Sequence, residues 1–333
     1  MMRIEQIWEE LENNQSFIKG LLLRRYTGLI LPDVFVALKC PEKLRCVATI
    51  VTNTAKINLT SFSNLRDINV ELVPDEKHPQ KNVLLFVLLN DLHKDIFSVL
   101  CEDLMESISL VSNENQLVKE LLNRFDKWKS LFDKLSLQGL TPESERGLFG
   151  ELLCLRKFLQ SSKSYFNIVN SWLGPEKQIR DFQFGSWGVE VKTTSGNNHQ
   201  KVHISSERQL DTNNLANLFL YHISLEVRQN SGETLNQIVD SVCDILQNDF
   251  SSLNRFKTKL LEAGYFEHHR ALYNGIGYFI RQEAFYKVAN EFPRIEEKDV
   301  RNGVGDVKYS IIISQCDAFL KSEQYVFQKL VFA

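Results

Sequence analysis

No stretch of this sequence is long and apolar enough to cross a bilayer. Its longest unbroken apolar run, Val83 to Leu89, falls far short of the roughly 20 residues a membrane helix needs. The opening residues, Met1-Met2-Arg3-Ile4-Glu5-Gln6, lack the apolar segment of a secretory signal, so a cytoplasmic location is the expectation. An excess of one charge sign is also missing. With 39 basic against 42 acidic residues, the net charge of −3 argues against a protein that coats nucleic acid non-specifically; it permits basic residues focused on one cleft. Cysteine is sparse. The six, at 40, 46, 101, 154, 243 and 316, form no C-x-x-C pair and read as reduced, mostly buried thiols. No P-loop occurs, so ATP-driven work would need another subunit. Gly275-Ile276-Gly277 and Gly303-Val304-Gly305 lack the third glycine of a dinucleotide fold.

What is present is the patterning of a mixed α/β protein of 333 residues, enough for one large or two ordinary domains. An amphipathic helix is expected over residues 2–18, then strands at 28–39, 44–52, 67–73 and 82–89. Helices are expected at 91–110 and 114–135. Thr141-Pro142 opens another helix, threonine as N-cap and proline at its first position, with Leu148, Leu152, Leu155 and Leu159 as its buried stripe. Gly147 and Gly150 in that helix suggest close approach to a sheet. Further on, strands at 201–204, 218–227, 277–281 and 307–313 alternate with helices from about Ser206, at 233–247 and at 251–263. The division placed best is 1–137, strand-rich and then helical, from 138–333.

The most informative segments are Ile179–Phe184 and Trp187–Thr194, two strand-like runs joined by Gly185-Ser186, a glycine-first two-residue hairpin turn. Pairing Phe184 with Trp187 sets Asp181 opposite Glu190. Strand alternation then puts Glu190 and Lys192 on the face that carries Asp181. Two facing carboxylates repel, destabilising a strand pair by up to roughly 1 kcal/mol. A divalent cation would convert that repulsion into a binding site. A four-residue loop preserves this convergence; a three-residue loop would flip Asp181 away. Elsewhere, Glu-x-Lys-like stretches at Glu296-Glu297-Lys298 and Pro74-Asp75-Glu76-Lys77 sit in a loop and a turn without a paired strand.

Asp181 followed by Glu190-x-Lys192 resembles the PD-(D/E)XK nuclease superfamily, the fold of many restriction endonucleases. The likeness extends to Gly147–Leu153 with Glu151, to Asn170-Ser171-Trp172-Leu173-Gly174, and to His203–Leu210. This order is similar to bacterial PD-(D/E)XK-motif proteins of restriction and phage-defence gene clusters, over roughly residues 140 to 230. In one departure, Arg180 stands where the superfamily signature has proline.

The resemblance implies an αβββαβ restriction-endonuclease-like core in 138–333. It also implies a Mg²⁺-dependent DNA endonuclease hydrolysing phosphodiester bonds, with Mn²⁺ able to substitute. Asp181, Glu190 and the Val191 backbone carbonyl would hold the metal, Lys192 would serve the attacking water, and Glu151 would bind a second ion or fix a water. Residues 1–137 would recognise DNA, bind a partner or dimerise. Double-stranded DNA is the implied substrate and a homodimer the implied assembly, with a methyltransferase or ATPase partner encoded nearby. His199, Lys201 and His203 alternate on one strand and, with Ser205, Ser206 and Gln209, could touch DNA; solvated surface or helix capping explains them equally well. A non-catalytic DNA-binding scaffold of a defence complex and a structure-specific repair nuclease are the competing readings.

Overall fold

The structure, a computed structural model, describes residues 4–14, 16–26, 30–52, 57, 59, 67–75, 78–132, 139–196 and 201–330. The chain divides into two compact units, Met1–Ser136 and Leu137–Ala333.

In the first unit, α1 (Ile4–Glu12) precedes β1 (Gly20–Arg25), β2 (Val34–Cys40), β3 (Leu44–Thr52), β4 (Ile68–Pro74) and β5 (Lys81–Leu88), followed by α2 (Lys94–Ile108) and α3 (Glu114–Phe132). The strands form one antiparallel sheet in the order β1-β2-β3-β5-β4. Alternating residues Ala37, Cys46, Ala48, Val83, Leu85 and Val87 make one apolar face. The Trp8 indole on α1 donates to the carbonyls of Ala37 and Cys46. A bidentate Arg124–Asp103 pair, joined by the Trp128 indole, ties α3 to α2. The first helix ends at Glu12 rather than 18, and β1 appears where no strand was expected. Its Leu21-Leu22-Leu23-Arg24-Arg25 run pairs along one edge only and half of it is exposed, so it lacks the alternation that marks a strand buried on one face.

The second unit begins with α4 (Pro142–Ser161) and α5 (Tyr165–Ser171) and continues through β6 (Phe182–Phe184), β7 (Trp187–Ser195), β8 (Lys201–Ile204) and β9 (Asn217–Gln229). Then come α6 (Leu235–Leu246), α7 (Phe250–Glu262), β10 (Ile276–Lys287), β11 (Tyr309–Ile312), β12 (Leu320–Lys321) and α8 (Glu323–Lys329). Its main sheet runs β12-β10-β9-β7-β6, with β7 parallel to β9 and the other pairs antiparallel. This is a mixed α/β fold. Val189 and Val191 of β7 join Phe149, Leu152 and Phe158 of α4 in one core. Leu218 and Leu220 of β9 face the other way, toward Val202, Ile204, Leu210 and Ile311. In the parallel register Glu190 lies beside Leu220 and Lys192 beside His222, so the charged residues of β7 turn from α4 toward this second layer.

Two expectations about this core need correcting. β8 leaves the main sheet and pairs antiparallel with β11. The chain from Ser206 makes a hydrogen-bonded turn in place of a helix. Side chains account for the turn. Glu207 accepts from the Val307 amide at 2.9 Å, Gln209 from the Ser205 amide at 2.9 Å, and Asp211 from the Asn213 amide at 2.8 Å. The Gln209 and Asp211 bonds are local and offer the backbone an alternative to the helix ladder, while Glu207 ties the turn to a segment distant in the chain.

The cap expected for α4 is present: the Thr141 hydroxyl accepts from the Ser144 amide, with Pro142 at the first helical position. Of the two glycines in α4, only Gly150 serves close approach. A Cβ there would overlap Thr193 Cγ2 on β7, whereas one at Gly147 meets nothing. Gly150→Val should therefore destabilise the protein by about 1–3 kcal/mol through overpacking. Gly147→Ala should be neutral or stabilise by up to about 1 kcal/mol. Chemical denaturation of both variants checks the contrast, and equal effects would refute it.

Candidate active site

Gly185 adopts φ +56°, which a glycine-first hairpin turn favours, and Phe184 pairs with Trp187, Gln183 with Gly188 and Phe182 with Val189. One further step sets Asp181 level with Glu190. Ladder pairing of β6 with β7 stops at Phe182, and on the opposite edge the Asp181 carbonyl accepts from the amides of Leu173 (2.7 Å) and Gly174 (3.1 Å). The Asp181 carboxylate instead takes the Val191 amide at 2.8 Å, where the ladder would have continued. In a strand the N–H and C=O of one residue leave on the same edge, so the Val191 carbonyl faces this side as well.

Glu151 reaches the same place from α4. Its carboxylate accepts from the Trp172 indole N–H at 2.7 Å. Gly174 preserves the gap beside it: a Cβ at that position would collide with the Glu151 carboxylate and lie 3.2 Å from Asp181 Oδ1. Behind Trp172, the fully buried Lys259 ammonium binds the Trp172 carbonyl and pairs with Glu176 at 2.7 Å.

Glu190 is fully buried and pairs with the Lys192 ammonium at 2.7 Å. That ion pair is not aligned as a hydrogen bond, and neither Glu190 oxygen has a hydrogen-bond partner of good geometry. The Lys192 side chain keeps 18% exposure. Burial, reinforced by the Asp181 charge, pushes the Glu190 carboxyl up to about 8 against the pull of Lys192. Burial likewise raises Glu151, again with Asp181 adding to it. Asp181 is raised by burial, opposed by Lys192 and the Val191 amide. Burial pulls the Lys192 ammonium down, but Glu190 and Asp181 outweigh it and hold the group above its ordinary value.

Among the described residues, no three His, Cys, Asp or Glu side chains are already gathered into a cation cage. Mg²⁺ does not require one, since it binds through one or two carboxylates and keeps several waters. The residues fit such an ion on three observations: the Gly174 cradle between Glu151 and Asp181, the orphaned Glu190 oxygens, and carboxyls of Glu151 and Glu190 raised by burial and then by the Asp181 charge.

Of the residues expected to touch DNA, Gln209 is the one brought to this cluster, its side-chain oxygen 3.3 Å from Lys192 Nζ. Lys201, His203 and Ser205 are exposed, and His203 lies 3.4 Å from the Ser310 hydroxyl. Ser206 accepts from the Arg208 amide. His199 lies outside the described residues.

Trp172, Gly174, Lys259 and Arg180 received no role from the sequence. Trp172 and Gly174 at least fell in a segment that carries the resemblance; Lys259, on α7, gave no signal.

A family model described as "Putative PD-(D/E)XK family member" (DUF4420) matches residues 4–314. The chain belongs to this family. No curated protein and no solved structure matches. Membership in the PD-(D/E)XK family points to a nuclease, and the match spans both units, so the N-terminal sheet is part of what defines the family here. Among the described residues, no helix is long and apolar enough to cross a membrane.

The raised carboxyls of this cluster set a pH dependence. A carboxyl whose folded pKa exceeds its unfolded one binds more protons in the native state, so stability falls as pH rises between the two values. For Glu190 that window runs from its ordinary 4.5 to about 8. Metal-free protein should lose roughly 1 kcal/mol per pH unit across it for one such group. Chemical denaturation at pH 6 and pH 8 tests this, and greater stability at pH 8 would contradict it.

Proposed function

We propose that this protein is a Mg²⁺-dependent DNA endonuclease of the restriction or phage-defence kind, hydrolysing phosphodiester bonds of duplex DNA. The observation that carries the reading is the convergence of Asp181, Glu190 and Glu151 with a single ammonium, Lys192, at one hairpin. Asp181, Glu190 and the Val191 carbonyl would hold the metal. Glu151, kept in place by the Trp172 indole, would hold a second ion or a water. A divalent cation, when bound, supplies Lewis acidity that favours deprotonation of the attacking water and stabilises charge on the phosphate. Mn²⁺, also content with oxygen ligands, is expected to substitute.

Lys192 does the protein's own share of the chemistry. Its ammonium stays charged because two carboxylates outweigh its burial, and Glu190 and Gln209 fix its direction. From there it hydrogen-bonds the attacking water and the scissile phosphate, stabilising charge that grows in the transition state. The hairpin register keeps Lys192 and Asp181 in fixed relation, so the nucleophile and the phosphate meet with little reorganisation. Cutting both strands of a duplex requires two such sites or two successive nicks, hence a homodimer on two-fold grounds. A methyltransferase or ATPase acting with it would place the enzyme in restriction.

Asp181→Asn keeps the shape of the side chain, and Lys192→Gln keeps a polar group of similar reach. Each should lower the rate of plasmid cleavage in Mg²⁺ by roughly 10²-fold or more. EDTA should stop the parent, while DNA affinity and thermal unfolding stay near parental. Variants as active as the parent would remove the assignment. DNA binding without any cutting, insensitive to EDTA and to Asp181→Asn, would mark the chain as a scaffold instead.

A further inference from the structure

We propose that Arg180, the residue standing where the family signature has proline, is a positioning residue that holds Gln209 against Lys192. Its catalytic consequence rests on the nuclease reading; the clamp itself does not. The Arg180 side chain is 8% exposed. Its guanidinium donates to the carbonyls of Asp211 and Arg208 (3.3 Å for the latter), with Gln183 Oε1 at 3.4 Å. Those two carbonyls bracket Gln209. The Gln209 side-chain oxygen, in turn, accepts from the Ser205 amide and from Lys192 Nζ. One planar cation therefore joins the residue before Asp181 to the turn that carries the partner of Lys192.

Three further features fit this assignment. Gly188, across the hairpin, leaves room for the arginine stem: a Cβ there would lie 3.1 Å from Arg180 Cδ. Burial weighs against the Arg180 charge, and the attraction of Glu190 and Asp211 offsets part of that cost. The fork of guanidinium donors reaches two carbonyls at once, which the single ammonium of lysine serves poorly. A proline at 180 would offer neither the charge nor the donors. The turn that replaces the expected helix at Ser206 thus depends on a contact from outside itself.

The test combines two readouts on Arg180→Lys and Arg180→Gln. Hydrogen exchange of metal-free protein should show faster exchange in peptides covering 206–215, with α4 unchanged. In Mg²⁺, single-turnover cleavage should slow roughly 10- to 100-fold, the range expected for a misplaced catalytic group, with DNA affinity unchanged. Arg180→Lys combined with Gln209→Ala should be no slower than Gln209→Ala alone, because a residue that acts through Gln209 has nothing left to position once it is gone. Should both substitutions unfold the protein, Gly188→Ala displaces the arginine stem without removing its charge and should loosen 206–215 in the same way. Unchanged exchange in 206–215, or losses that multiply in the double variant, would overturn the proposal. A parent that does not cut DNA would overturn the nuclease reading, while the exchange result would still decide the clamp.

Discussion

Three carboxylates, Glu190 fully buried and Glu151 and Asp181 partly so, share one ammonium, and the surplus of negative charge is the constraint around which the second unit is built. Asp181 raises Glu151 and Glu190, and Lys192 only partly offsets that repulsion. Buried like charges favour the protonated forms, because desolvation and mutual repulsion act in the same direction. A chain free to relax would separate them. This one does not, because each carboxylate is delivered by a different element whose position is fixed by packing elsewhere.

α4 carries Glu151 and is drawn close to β7 by Gly150. The 172–174 segment takes the Asp181 carbonyl into its own hydrogen bonds and lends the Trp172 indole to Glu151. Buried Lys259 anchors that segment from behind. Glu190 sits on β7, paired on one side with β6 and on the other with β9. Cation binding at such a place gains from what the fold has already spent on holding the charges together. This is the physical sense in which the proposed site would be prepared for a metal. Aromatic packing of Phe158 against Phe182 and Trp187 makes the hairpin a rigid support for it.

Much of this was legible in the sequence for local reasons. Gly185-Ser186 sets the register of the hairpin, and register alone levels Asp181 with Glu190. Thr141-Pro142 announces the start of α4. What could not be read depends on partners distant in the chain. β8 pairs with β11, more than a hundred residues on, and the Ser206 turn is braced by Glu207 reaching the Val307 amide. The alternation of Lys201 and His203 with Val202 and Ile204 was visible, but it does not say which sheet receives the strand. Arg180 registered only as a missing proline, since the carbonyls it binds belong to a turn that local propensity assigned to a helix. Gly147 shows the converse: a glycine in a helix suggested close packing, and nothing approaches it.

The most direct measurement is a calorimetric titration of Mn²⁺ into the metal-free protein at pH 7, repeated in buffers of different ionisation enthalpy. Carboxyls raised by burial and mutual repulsion must release protons when a cation replaces them. The account predicts saturable binding with net proton release, lost in Asp181→Asn. Binding that releases no proton, or that survives Asp181→Asn unchanged, would contradict it.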